Sequence, residues 1–261
     1  MALAGGMARS SFRSVLLFTA ILAALPAWAQ VGAGDRAEIV RLAESRGGTE
    51  ADVAPLIQAV NGAVDRGLPQ PPLVNKVKEG LSKGYPPARV QAVLSDLVGR
   101  MGGAREMLGS VPDEAMRARA IVVLAEALGR GITRDEFLEL RRLVEDGGPP
   151  PEAERLAQGA KSWALLREAG FPAADALPLV AEAVRQGFRD TELIALAREA
   201  ALRREDLAAT GLGTLRDAVR RGERPERLFP RDAPDTPERP PRVERPAAPE
   251  RPERERPERG R

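Results

Sequence analysis

A cluster of polar residues between positions 75 and 83 is the part of this sequence best suited to binding a ligand. Its members are Asn75, Lys76, Lys78, Glu79 and Lys83. Ammonium and amide groups at this density could hold an anionic group such as a carboxylate or a phosphate. The pattern is also typical of a charged outer helix face, with Asn75, Lys78 and Glu79 on one solvent side and Glu79 paired to Lys83.

Two carboxylates offer a second kind of chemistry. Glu79 and Glu182 occupy matching positions in two similar segments of the chain. Glycoside cleavage uses two carboxyl groups at a defined separation, one of them with a raised pKa. Neither flanking sequence indicates a buried carboxylate, so we expect no catalytic residue and no enzyme.

Residue types that other chemistries require are missing from the chain. It has no cysteine and no histidine, which excludes Ser-His-Asp and Cys-His arrangements and leaves only carboxylates for a zinc site. The glycine pairs Gly102-Gly103 and Gly147-Gly148 lack the Lys-Ser/Thr that follows a phosphate-binding loop. We therefore expect no metal site and no cofactor.

The elements that position these residues are predicted to be helices. Apolar residues recur at helical spacing through most of the chain, and no segment alternates with the period of a strand. Clear examples are Val74, Val77 and Leu81, then Val90, Val93, Leu94, Leu97 and Met101, and then Ile121, Leu124, Ala125 and Leu128. Thr49 and Thr133 begin patterns typical of helix capping boxes. The sequence predicts an all-α fold of short antiparallel helices, arranged as an α-solenoid or an irregular bundle.

Glycines followed by a bulky apolar residue mark the ends of these helices and reveal a repeat. The pairs are Gly67-Leu68, Gly84-Tyr85, Gly131-Ile132, Gly170-Phe171 and Gly187-Phe188. An offset of 103 residues places Gly67 on Gly170 and Gly84 on Gly187, and Gly131 to Gly147 is a looser copy. We expect each glycine to adopt a left-handed conformation and each apolar residue to fold back onto the helix just ended. Such short helices are stable only when stacked.

The first 29 residues are typical of a signal peptide. Arg9 and Arg13 precede the apolar run Val15–Ala24, and Ala27-Trp28-Ala29 provides a cleavage site. An uncleaved anchor would need about 20 apolar residues, more than this run contains. We expect an exported protein, periplasmic or extracellular, with no membrane span in the mature chain.

The residues after 222 have a different composition. Residues 223–261 contain repeated Pro-Glu-Arg and almost no apolar side chain, which predicts a disordered tail after a helical domain over 30–222. Removal of the signal peptide leaves equal numbers of basic and acidic side chains, so charge gives no argument for nucleic-acid binding.

A stretch around the polar cluster resembles a group of uncharacterised secreted bacterial proteins. The residues that carry the resemblance are Gly67-Leu68-Pro69, Leu73-Val74, Lys76-Val77, Glu79-Gly80, Lys83, Pro87 and Arg89-Val90. It extends over about residues 50–200 and includes Arg105 and the Gly187 turn. The resemblance implies export and a helical fold, and it implies no activity.

These observations favour a protein that binds a partner or has a structural role in the cell envelope. The expected partner is a protein or another envelope component. An envelope enzyme acting on glycan through Glu79 or another carboxylate is one alternative. A holdase for unfolded exported chains is another, and it would require a large exposed apolar concavity.

Overall fold

The computed structural model describes residues 30–146 and 148–230, apart from the side chains of residues 208–210. The signal peptide expected over residues 1–29 and the part of the tail from residue 231 onward lie outside the described residues. Within the described ranges every regular element is a helix, which confirms the all-α class. The helices are α1 (Ala33–Glu44), α2 (Glu50–Asp65), α3 (Gln70–Ser82), α4 (Pro87–Leu108), α5 (Glu114–Gly129), α6 (Arg134–Glu145), α7 (Ala153–Glu168), α8 (Ala173–Arg185), α9 (Asp190–Leu202), α10 (Arg204–Thr210), α11 (Leu212–Arg220) and α12 (Pro225–Leu228).

Seven of these helices end in a glycine turn of one geometry. The glycines are Gly47, Gly67, Gly84, Gly131, Gly170, Gly187 and Gly222, with φ between 68° and 88°. In the turn at Gly67, the Gly67 N–H donates to the carbonyl of Val64, and the Leu68 N–H donates to the carbonyl of Ala63. This pair of bonds satisfies the last carbonyls of the helix and requires a left-handed residue, which glycine adopts without steric cost. The predicted left-handed glycines are thereby confirmed.

The repeat read from the sequence is present in the helix boundaries. Helices α2 and α7 each contain 16 residues, and helices α3 and α8 each contain 13. Helices α7, α8 and α9 begin 103 residues after α2, α3 and α4. The chain therefore contains two copies of one α–turn–α–turn–α segment.

The chain divides into two compact units. The first unit ends at Gly99 and the second begins at Arg100, so the division falls within helix α4. In the first unit, α1 packs against both α2 and α3, and α2 packs against α3. Its core is formed mainly by aliphatic side chains of these helices and the start of α4: Ile39, Val53, Leu56, Val60, Leu73, Val77, Val90 and Leu94. Burial of these side chains is the main term that stabilises short helices.

The second unit has two layers of helices. Helix α7 lies between α5 and α9 in one layer, and α8 lies between α6 and α11 in the other. The layers meet where α7 packs against α8, around the fully buried side chains of Trp163, Phe137 and Phe188. Within this unit the short helices stack as the repeat predicts.

The described helices bear on the predicted end of the folded region. The range 30–222, predicted as one helical domain, includes parts of both compact units, and its assignment as one domain stays a prediction. The predicted tail does not begin at Glu223, because α12 follows and Phe229 is buried. The guanidinium carbon of Arg203 lies 5.3 Å from the centre of the Phe229 ring. The packed region therefore extends to Phe229, although the composition of the residues after 222 indicates disorder.

Candidate binding site on helices α3 and α4

The five polar residues predicted as a ligand site lie on two different sides of helix α3 and its C-terminal cap. Asn75 is exposed, and Lys78 is directed toward α1. Lys76, Glu79 and Lys83 lie on the side that meets α4. The expectation that Asn75, Lys78 and Glu79 share one solvent side is therefore wrong for Lys78.

Lys78 has a structural contact with α1. Its ammonium group donates to Asp35 at 2.7 Å and also to Glu38. These hydrogen bonds from Lys78 to Asp35 and Glu38 raise the pKa of the lysine above its usual value. Lys78 thus connects α3 to α1, and it does not line the pocket between α3 and α4.

Glu79 is held between two lysines of its own helix. Its carboxylate accepts a hydrogen bond from Lys76 Nζ at 2.6 Å and another from Lys83 Nζ. These hydrogen bonds and charges lower the pKa of Glu79 to about 2. The side chain is 43% exposed and stays ionised at neutral pH. It has no proton to donate as a general acid and is a weak base.

A pocket of about 100 Å³ lies beside this triplet, between α3 and α4. Its lining is completed by residues that the sequence analysis did not assign to a site: Gly80, Tyr85, Arg89, Val90 and Val93. A Cβ atom on Gly80 would lie 2.7 Å from Val90 Cγ2, so glycine at this position lets the two helices approach closely. The pocket therefore combines an apolar floor with a charged rim.

Tyr85 and Val93 are the exposed apolar groups of this site. Their exposed fractions are 39% and 43%. The expectation that Tyr85 packs into the core after its glycine turn is wrong, although Leu68, Ile132 and Phe188 do so. The guanidinium carbon of Arg89 lies 4.2 Å from the Tyr85 ring centre, a cation–π contact that keeps the ring at the surface. Tyr85, Arg89 and Val93 follow one another at intervals of four residues, and this spacing could have predicted that they lie on the same side of the chain.

The second carboxylate considered for catalysis, Glu182, is buried in the other unit. Burial raises its pKa, but hydrogen bonds from Gln186 and Arg185 and the charge of Arg220 outweigh it, so the pKa is below the usual value. Arg220 Nε lies 3.7 Å from the Glu182 carboxylate. Glu182 is thus an ionised structural group without a raised pKa.

Neither a metal centre nor a membrane span is found among the described residues. No group of three or more acidic residues in these ranges is arranged to hold a metal ion. No helix among them is both long enough and apolar enough to cross a bilayer. No family model matches this chain, and no curated protein or solved structure matches it either.

Proposed function

We propose that this chain is an exported, non-catalytic binding protein of the bacterial cell envelope that presents the α3–α4 pocket to a partner. The observation that carries the proposal is the composition of that pocket. Tyr85 and Val93 are two of the four large apolar residues exposed in the described part of the chain, and they lie beside cationic side chains. Exposed apolar groups with a charged rim are typical of interaction sites.

Export is part of the proposal and rests on the amino-terminal sequence. Arg9, Arg13 and the apolar run Val15–Ala24 have the order of a signal peptide, followed by small residues at the expected cleavage site. The resemblance to uncharacterised secreted bacterial proteins over about residues 50–200 supports the same compartment.

The absence of catalysis is supported by the state of the two carboxylates that the sequence offered for glycoside cleavage. General acid chemistry requires a carboxyl group that keeps its proton near neutral pH. Glu79 and Glu182 both have lowered pKa values, because each is surrounded by cationic or amide donors. The holdase alternative has less support, because the other exposed apolar residues, Leu138 and Leu202, lie singly on other helices.

Site-specific photocrosslinking in the cell that makes the protein tests this proposal. A photoreactive amino acid would replace Tyr85, and in a matched control it would replace Leu138, whose exposed fraction is 38% against 39% for Tyr85. We expect an adduct in the envelope fraction from position 85 and none from position 138. Equal adducts from both positions, or adducts only with cytoplasmic material, would contradict the proposal.

A further inference from the structure

The two copies of the repeated segment differ in how they are covered: helices α11 and α12 pack on the second copy. In the second unit, α11 packs along α8, and α12 packs on α9. The position that corresponds to Tyr85 is Phe188, which is fully buried, and the position that corresponds to Arg89 is Glu192, which is 7% exposed. In the first unit both equivalent side chains are exposed.

The covering segment of the second unit buries the apolar side chains of α11 and adds contacts from two arginines. Arg224 lies over the Phe188 ring, with its guanidinium carbon 4.5 Å from the ring centre. The same side chain lies 3.5 Å from the Glu192 carboxylate. Arg220, at the end of α11, lies 3.7 Å from Glu182. Two buried carboxylates of the α8–α9 face thus meet arginines of the covering segment, which is basic and amphipathic.

The open copy is more basic than the covered one. Arg89 occupies the position of Glu192 and Lys83 that of Gln186, whereas Glu79 keeps the carboxylate found at Glu182. Lys76 adds a further cation, and the only carboxylate in the lining, Glu79, is shared by the two lysines. Arg89 is exposed, and its guanidinium carbon lies 4.2 Å from the centre of the Tyr85 ring.

From this comparison we infer that the α3–α4 face is the docking site for an acidic amphipathic helix of another protein. The helix lies along α3 as α11 lies along α8, inserts an apolar side chain beside Tyr85 and Val93, and places carboxylates against Arg89 and Lys83. This inference rests on the proposed function and specifies its partner. Opposite charges across such a face favour the matching helix and reject a basic one.

The chain itself supplies the probes for a binding test. The first is a fluorescent peptide of residues 212–229 in which Arg220→Glu and Arg224→Glu make the net charge negative. The second is the unaltered peptide, which is positively charged. The third is a peptide of residues 231–261, which represents the tail. Binding of each to the full mature protein is followed by fluorescence anisotropy.

We expect the acidic peptide to bind the mature protein at least about tenfold more tightly than the other two. Arg89→Glu weakens its binding by about tenfold or more, whereas Arg41→Glu, at an exposed arginine of α1, changes it less than about twofold. Lys83→Glu combined with Arg89→Glu reverses the preference toward the unaltered peptide. Circular dichroism of each variant verifies that the fold is retained.

Other results would overturn the inference. Equal binding of the acidic peptide to the protein and to its Arg89→Glu variant would remove the α3–α4 face as the site. Tighter binding of the tail peptide would make residues 231–261 the occupant instead. If no peptide binds but Tyr85 still forms crosslinks in the envelope, the partner is not an acidic helix and the proposed function stands. If neither is observed, both fail.

Discussion

At the scale of single residues, the three lysines near Glu79 belong to two separate sets of contacts. The pair Glu79–Lys83 follows from four-residue spacing and is present as predicted. Lys78 is adjacent in sequence to Glu79 but is bound by Asp35 and Glu38 from another helix. Residues two apart on a helix point to different sides, so Lys76 and Lys78 cannot serve one site. Which carboxylates meet Lys78 is fixed by packing of α1, not by local sequence.

Glu79 should titrate well below an ordinary glutamate. Hydrogen bonds from Lys76 and Lys83 lower the pKa of Glu79 from 4.5 to about 2. The ionised carboxylate therefore contributes fully to the stability of the folded state above pH 4.5, and this contribution is lost as the pH falls through about 2. Carboxyl carbon shifts measured by NMR across this range check the value. Lys83→Gln should move the midpoint upward, and Lys161→Gln, far from Glu79 in sequence and paired with Glu126, should not. A midpoint near 4.5 in the unaltered chain would mean that the lysines do not hold the carboxylate.

At the scale of helices, the boundaries were predictable because the glycine turns are local devices. A glycine, the apolar residue after it and the preceding carbonyls contain all the information needed to end a helix. The sequence did not predict whether other helices cover the apolar residue that follows a glycine turn. Tyr85 and Phe188 occupy equivalent positions in similar segments, yet only Phe188 is buried. Phe188 is covered by Arg224, which lies between α11 and α12. These helices follow the second copy in the chain, and the local sequence of the repeat does not indicate them.

Two glycine substitutions in the second unit should have effects of opposite sign. Gly187 has φ of 68°, and an added Cβ atom would have no neighbour within 4 Å, so Gly187→Ala costs only the left-handed conformation, about 1–2 kcal/mol. Gly102 lies inside helix α4 with equally open surroundings, so Gly102→Ala should stabilise by about 0.5–1 kcal/mol. Urea unfolding followed by circular dichroism measures both. Destabilisation by both substitutions would contradict the assignment of helix and turn.

At the scale of the whole molecule, each unit has a core of its own made from short helices. Trp163, with 2% of its surface exposed, lies at the centre of the second unit, and Leu73 is fully buried in the first. Apolar spacing predicts that a helix has a buried side, but not which helices share a core. The end of the helical region was placed too early, because Leu228 and Phe229 are only two apolar residues within a charged segment.

The mature protein should begin at Gln30. Cleavage after Ala29 follows from the small residues at positions 27 and 29 and the apolar run before them. Intact mass of the protein recovered from the envelope or the medium measures the first residue. Ala29→Arg should block processing, since a large charged side chain does not fit the cleavage site, whereas Gln30→Asn should not. Recovery of the full-length chain from the cytoplasm would contradict export.

The central claim is that equivalent faces of the two copies differ in access to solvent. Hydroxyl-radical footprinting with mass spectrometry measures this directly, with each residue normalised to its rate in the unfolded chain. We predict strong modification of Tyr85, which is 39% exposed, and protection of Phe188, which is fully buried beneath Arg224. Equal modification of Tyr85 and Phe188 would contradict the claim, because no open face would then distinguish the first copy from the second.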